Sequence, residues 1–441
     1  MRRQTRRTFL ATVGAAGAAG LAGCSAFGSD DSSTTSTKST TDKGDGKETT
    51  STKGGNDTTT NDGGNQQSGP ETFESFEKLN HWSATNGQGT LKKSTKVKYE
   101  GSQSAHITGS KKTKFGQIQR IDYSSDPANL SNKNLSLAYK CTSHEYSKIE
   151  VQLFAPDRGH IVSMTRTLYG PKGKWIRVNL GVTGQMDPKN VDLSKVYEIR
   201  IAGRPKDSNT TKPIDFYVDD VKTVPAPDKG KVMLTFDDGR ESQYSKAYKM
   251  MKGYGFPGVI AIIPAALYDD GYLTQPKMRK MVGDGWDMIC HPNTGAKQMD
   301  ERSRKDQEQL IKETQQWLKA RDYDGYKYMA VPKNVVGPNT FELAQKYFDV
   351  TMSFGGSPNA IPAIKKDTLI SRIYGTGDLK TTKQYIDYAA RYKQLTPLLF
   401  HDIGGENGFP EKKFKHLLDY IKQSNVEVVT LSDLEKKGML I

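Results

Sequence analysis

Cysteine is scarce, with three residues in 441: Cys24, Cys141 and Cys290. So small a number excludes a disulfide-stapled scaffold. Long apolar runs are missing too. The longest small-residue stretch, Ala11 to Gly23, falls short of the roughly 20 residues that a membrane-spanning helix needs. No run of basic residues is interleaved with aromatics. The formal net charge of +14, from 64 Lys and Arg against 50 Asp and Glu, therefore does not point to nucleic acid. Scattered as they are, these charges read as a merely solvated surface, with attraction to anionic glycans or an anionic membrane surface as the alternative. Histidine is rare as well, and only three of the seven follow residue 230.

What is present begins with a leader. Thr5-Arg6-Arg7-Thr8-Phe9-Leu10 precedes the short apolar run, and paired arginines in that place match a twin-arginine export signal. Leu21-Ala22-Gly23-Cys24 resembles a lipobox, whose cysteine carries lipid. Residues 1–24 are thus expected to direct export. The mature chain is expected at the cell surface, anchored through a lipid on Cys24 to the outer face of the cytoplasmic membrane. Residues 25–70 are Ser, Thr, Gly, Asp, Asn and Lys with almost nothing apolar. Such a segment cannot bury enough surface to offset chain entropy, and it reads as a disordered tether.

Two folded regions are expected after the tether, meeting near Val224-Pro225-Ala226-Pro227-Asp228-Lys229-Gly230. In residues 71–225 period-two alternation dominates, as in Leu135, Leu137 and Tyr139, or Ile149, Val151 and Leu153. Short alternating strands between Gly, Pro, Asn and Asp turns predict an all-β sandwich. Tyr99 to Ile107 and Phe216 to Val221 resemble jelly-roll modules attached to glycan-active enzymes, which implies carbohydrate binding. Trp82 and Trp175 are candidates for sugar stacking or for the core, and Asp219 and Asp220 for a structural calcium site.

From residue 230 to 441, strands and helices alternate. Lys231–Phe236, Pro257–Ile263, Val350–Phe354, Leu369–Ile373, Leu398–Phe400 and Val426–Leu431 read as strands. Glu301–Arg321 reads as a helix with Leu310, Ile311, Thr314, Trp317 and Leu318 on one face. Repeated β-α units predict a parallel sheet, open or closed, with working residues at the carboxyl ends of its strands. Chemistry-bearing residues fall at those ends: Asp237-Asp238-Gly239, His291 after Asp287-Met288-Ile289-Cys290, and His401 after Leu398-Leu399-Phe400. Two adjacent carboxylates at a strand end diverge, so one can hold a metal while the other acts as a base. His416 falls within a helical pattern and reads as structural.

These three phrases, in this order, resemble the polysaccharide deacetylase (NodB-type, carbohydrate esterase 4-like) family over about the last 210 residues. The resemblance implies a distorted (β/α)7 barrel, here preceded by the jelly-roll sandwich. It implies metal-dependent removal of N- or O-acetyl groups from an extracellular or cell-surface polysaccharide. Asp237 would be the general base and His401 the general acid. Asp238 and His291 would be metal ligands, and Leu399 would line the acetyl pocket. The implied cofactor is a divalent metal, zinc first and cobalt or nickel as alternatives.

The sequence departs from the family pattern in three places. A second histidine is expected four residues after His291, and Gly295 stands there. A catalytic zinc normally takes three protein ligands, so the metal is expected to be weakly held. A shifted register would recruit Asp287, although strand positions 287 and 291 lie about 13 Å apart at roughly 3.3 Å per residue. The family's Arg-Pro-Pro-Tyr-Gly is replaced by Ala330-Val331-Pro332-Lys333-Asn334, which removes the base-orienting arginine unless Lys333 substitutes. Its fourth motif is replaced by Met352-Ser353-Phe354-Gly355-Gly356. The alternative expectation is a degenerate lipoprotein that binds surface glycan without cleaving it.

Overall fold

Alternation of apolar and polar residues between Glu71 and Pro225 produces two antiparallel sheets. The computed structural model describes residues 69–121, 126–363 and 368–441, so the expected leader and nearly all of the tether lie outside it. In chain order the first strands are β1 (Glu71–Glu74), β2 (Ser83–Ala84), β3 (Thr90–Ser94), β4 (Ser104–Thr108), β5 (Gly116–Arg120) and β6 (Lys133–Cys141). There follow β7 (Tyr146–Phe154), β8 (Ile161–Tyr169), β9 (Ile176–Leu180), β10 (Gly184–Met186), β11 (Glu198–Pro205) and β12 (Asp215–Pro225). One sheet runs β3-β4-β12-β6-β9 with β1 beside β12, and the other runs β10-β8-β7-β11-β5-β2.

Strict alternation along β7 buries Ile149, Val151 and Leu153, which join Leu135, Leu137 and Tyr139 of β6 in the apolar core. Trp82 is buried there, with its indole N–H donating to Glu74 at 2.9 Å. The acidic pair is occupied by other partners. Asp219 accepts backbone N–H groups of Tyr99, Glu100 and Asp220, and Asp220 pairs with Arg177. These donors take most of the acceptor positions of the pair and already neutralise it, which disfavours a calcium ion there.

Four residues after β12 the chain enters β13 (Gly230–Asp238). With β14 (Val259–Ile262), β15 (Asp287–Cys290), β16 (Tyr328–Ala330), β17 (Val350–Phe354), β18 (Leu369–Tyr374) and β19 (Leu395–Phe400) it forms a ring of seven parallel strands, closed by pairing of β13 with both β14 and β19. β20 (Val426–Val428) adds to the start of β13 outside the ring.

The pleat sorts the side chains. Met233, Val259, Ala261, Ile289, Tyr328, Met352 and Ile370 form the inner cluster. Leu234, Phe236, Ile260, Met288, Leu398 and Phe400 belong to the cluster that also holds helix residues such as Met278, Ile311 and Phe414. The expected long helix forms as α3 below, shortened because Ser303 caps it by accepting the N–H of Asp306. The expected strand from Val426 stops at Val428, since Thr430 and Asp433 build a capping box that starts a short helix at Leu431.

The helices after β13 are α1 (Lys249–Lys252), α2 (Gln275–Gly283), α3 (Arg304–Lys319), α4 (Pro338–Tyr347), α5 (Leu379–Tyr392), α6 (Glu411–Gln423) and α7 (Leu431–Lys436). No helix occurs among the described residues between β17 and β18. Parallel strands need cover on both faces, and here part of the sandwich supplies it. Thr167 N–H donates to Gly355 O at 3.0 Å, Val336 N–H to Tyr169 O at 2.9 Å, and Arg166 to Leu369 O. At the other end of the barrel, Gln394 exchanges two hydrogen bonds with the backbone of Val182, and Asn134 donates to Ile361 O at 2.8 Å. Gly170 (φ +89°) belongs to this junction, because a Cβ there would lie 2.0 Å from Val336 O.

Candidate active site

The inner rows of side chains are largely apolar below, with Asp287 buried at the floor, and polar at the C-terminal mouth of the barrel. β13 carries Met233, Thr235 and Asp237 on one parity, and β18 carries Ile370, Arg372 and Tyr374. At the top of these rows Arg372 and Asp237 meet as a two-pronged pair, Nη1 to Oδ1 at 2.6 Å and Nη2 to Oδ2 at 3.1 Å. Both are buried, with side-chain exposures of 0% and 4%. Arg372 also donates to Asn334 Oδ1 at 3.1 Å. Burial alone would raise the Asp237 carboxyl. The charge and hydrogen bonds of Arg372, together with His291 and His401, outweigh it and hold the group below the ordinary carboxylate value.

Asp238 leaves the strand in the left-handed region, φ +77°, so its carboxylate diverges from that of Asp237. It comes to 3.7 Å from His291, Oδ1 to Nε2. His291 is buried, and its Nδ1 lies 2.8 Å from Ala330 O. A carbonyl oxygen only accepts, so Nδ1 donates to it, and when the ring is neutral Nε2 turns its lone pair toward Asp238. An orienting carbonyl behind a histidine is the usual support of a metal ligand. In that neutral form Nε2 and the carboxylate are two acceptors facing one another, which is a seat for a cation.

The third position is empty of ligand. Gly295 has φ +58°, and a Cβ added there meets only Arg302, at 3.9 Å. Among the described residues no cluster of three or more His, Cys, Asp or Glu is placed to hold a metal. The residues fit a cation held by two protein ligands and do not complete a three-residue zinc site. Asp287 cannot be the third ligand. It sits at the opposite end of β15, accepting the N–H of Ser432 at 2.9 Å, and burial raises its carboxyl.

His401 follows β19 at the mouth and is exposed, while Leu399 is fully buried one inner position below it. Gln243 ties the two strand ends together. Its side-chain nitrogen donates to Asp237 O at 2.6 Å and to His401 O at 3.1 Å. Ser242 beside it donates to Asp402 at 2.7 Å. His416 is exposed on α6, away from these strand ends.

Lys333 does not take the place of the missing arginine, because its ammonium donates to the carbonyl of Ala296. That place is filled by Arg372, two strands along the barrel. The sequence reading missed it, although a signal was there. An arginine inside Leu369-Ile370-Ser371-Arg372-Ile373 must find a buried partner or break the strand. Phe354 and Tyr374, their rings 4.4 Å apart, stand at the mouth where the family's fourth motif is replaced.

Residues 225–349 match the family model described as polysaccharide deacetylase. The matched stretch ends before β18 and β19, so Arg372 and His401 lie beyond it. No curated protein matches the chain. Similar solved structures include the Xyl-CE4 domain of a multidomain xylanase from the hindgut metagenome of Trinervitermes trinervoides, at 19% identity over 48% of this chain and 92% of that one, with TM-score 0.32. Another is peptidoglycan deacetylase PdaC from Bacillus subtilis, at 15% identity over 48% and 92%, with TM-score 0.34. A third is a family 4 acetyl xylan esterase from Clostridium thermocellum in complex with cobalt, at 19% identity over 47% and 92%, with TM-score 0.32.

Proposed function

We propose that the polysaccharide deacetylase domain carried at residues 225–349, completed by β17, β18 and β19, hydrolyses acetyl groups from an extracellular or cell-surface polysaccharide. Such a domain belongs to the hydrolases of carbon–nitrogen bonds other than peptide bonds. The observation that carries the reading is the buried Arg372–Asp237 pair beneath an exposed histidine at the carboxyl ends of barrel strands.

The chemistry follows from those groups. Asp237 is ionised, held low by Arg372, and takes a proton from water as the water oxygen bonds to the acetyl carbon. His401 gives a proton to the sugar nitrogen or oxygen as its bond to that carbon breaks, and acetate leaves. Leu399 lies one inner position below His401 and is fully buried, so its part in lining an acetyl pocket rests on the family resemblance. Asp238 and His291 would hold a divalent cation, zinc, cobalt or nickel, which when bound acidifies water and polarises a carbonyl.

The sandwich is read as a jelly-roll glycan-binding module, and the leader as a signal that exports the chain and anchors it through Cys24. The test supplies the purified chain with zinc, cobalt or nickel and acetylated oligosaccharides, and follows free acetate. Release that chelator and Asp237→Ala both abolish is expected. No acetate with any of the three metals overturns the hydrolase reading.

A further inference from the structure

A row of four aromatic rings leaves the barrel mouth and continues onto the sandwich. Tyr374 ends the inner row of β18, one position above Arg372. Burial raises its phenol, which also feels the charges of Arg372 and Asp237. Its ring lies 4.4 Å from that of Phe354, which ends the inner row of β17. Phe354 lies 5.9 Å from Tyr169, the last residue of β8, and Tyr169 lies 5.4 Å from Tyr146, its cross-strand partner at the start of β7. The crossing from barrel to sandwich is held by the backbone bonds of Thr167 to Gly355 and of Val336 to Tyr169.

The two ends of the row are its most open members, Tyr374 at 45% and Tyr146 at 36% exposure, while Phe354 and Tyr169 between them are half-buried. Among the described residues, none of the three phenol hydroxyls makes a hydrogen bond to another protein group. Lys206 stands 5.3 Å over the Tyr169 ring and adds a donor beside it. Rings with apolar faces and unspent hydroxyls at their rims suit a ligand that alternates C–H faces with hydroxyl edges. A glycan chain has that character.

We propose that Tyr374, Phe354, Tyr169 and Tyr146 form a track along which the acetylated polysaccharide extends from the catalytic mouth onto the sandwich, so that one chain contacts both regions. The track rests on the polysaccharide reading of the mouth, and its occupant follows from its continuity with that site.

The test measures binding by calorimetry of two probes, N-acetylchitohexaose and acetylated xylohexaose, and of their dimers, to the full chain and to Tyr146→Ala and Tyr146→Phe. The wild type should bind at least one hexamer more tightly than its dimer. Tyr146→Ala should weaken the hexamer by about tenfold, the worth of one aromatic contact, and the dimer by less. Tyr146→Phe should retain most of the hexamer affinity. Equal loss for both lengths, an unchanged hexamer affinity, or no binding of either hexamer by the wild type overturns the track. Acetate release is recorded alongside. Length-dependent binding lost in Tyr146→Ala without any acetate supports the track and refutes the hydrolase reading alone.

Discussion

Among the described residues two arginine–aspartate pairs are buried, one in each region. Arg177 and Asp220 lie within the sandwich at side-chain exposures of 1% and 4%, almost the values of Arg372 and Asp237 in the barrel. Their surroundings differ. Asp220 sits at an irregularity of β12, φ +43°, and reaches Arg177 on β9, which also donates to the Asp220 carbonyl at 2.7 Å. Lys222 closes the pair from the side at 3.3 Å, and Arg177 packs against the Tyr99 ring. The pair's titratable neighbour is Asp219, whose carboxyl burial pushes up to about 6, but that group is held by the backbone N–H groups of Tyr99, Glu100 and Asp220. Asp237 instead looks toward two histidines and an open mouth. Burial and pairing are therefore no measure of function. What separates the two pairs is whether histidines at a solvent-facing strand end stand beside the carboxylate.

The largest effect should come from exchanging the roles of the pairs. Asp237→Ala is expected to lower turnover by at least about a thousandfold, as loss of a general base does. Asp220→Ala should leave turnover per folded molecule near wild type while lowering stability by about 3–5 kcal/mol, because it strands a buried guanidinium. Acetate assays and denaturant titrations read the two separately. Turnover lost in both variants at equal folded fraction would erase the distinction.

Next comes Arg372→Gln. Its removal takes away the cation that holds Asp237 low, so the carboxyl should rise. In the wild type a depressed folded value means that the ionised, stabilising form persists above the unfolded value and is lost only as pH falls through the lower folded one. The acid limb of the rate profile should consequently move to higher pH in Arg372→Gln, and the acid-induced loss of stability that Asp237 contributes should shrink, because its folded value moves toward the unfolded one. An acid limb that stays in place would show that Arg372 serves packing alone.

A smaller effect is expected from Gly295→His. The backbone there, φ +58°, is one that histidine tolerates better than most residues, and a Cβ meets nothing closer than 3.9 Å. A third ligand beside Asp238 and His291 should raise zinc affinity by roughly tenfold or more, read by competition with a chelator. Unchanged retention of zinc would place the cation away from these two residues. At the bottom of the scale, His416→Ala on the exposed side of α6 should shift stability by less than about 0.5 kcal/mol and leave turnover unchanged.

Much of the barrel was legible because a strand buried on both faces, such as Val232 to Asp237, leaves an apolar run bounded by turn chemistry. Asp237, Asp238, His291 and His401 were legible because polar residues that end such runs fall at one mouth of a parallel barrel. The cap residues were the weak point. Ser303 and Thr430 shortened a predicted helix and a predicted strand, since one side-chain oxygen decides where a backbone ladder stops. Arg372 was hidden because no local pattern says which strand lies opposite Asp237 across a closed ring.

By itself the sequence determined the two alternations, period two and then β-α, and with them the paired carboxylates and histidines at strand ends. Both follow from the fixed geometry of the backbone, in which neighbours along the chain settle which face a residue takes. Only the tertiary structure decided which guanidinium holds Asp237, that Lys333 turns to a carbonyl instead, and that β8 of the sandwich abuts β17 of the barrel. Such contacts join residues far apart in the chain, 135 positions for Arg372 and Asp237 and 203 for Arg166 and Leu369. Closing a ring of strands and covering its bare wall selects them, and neither step is encoded in any one segment.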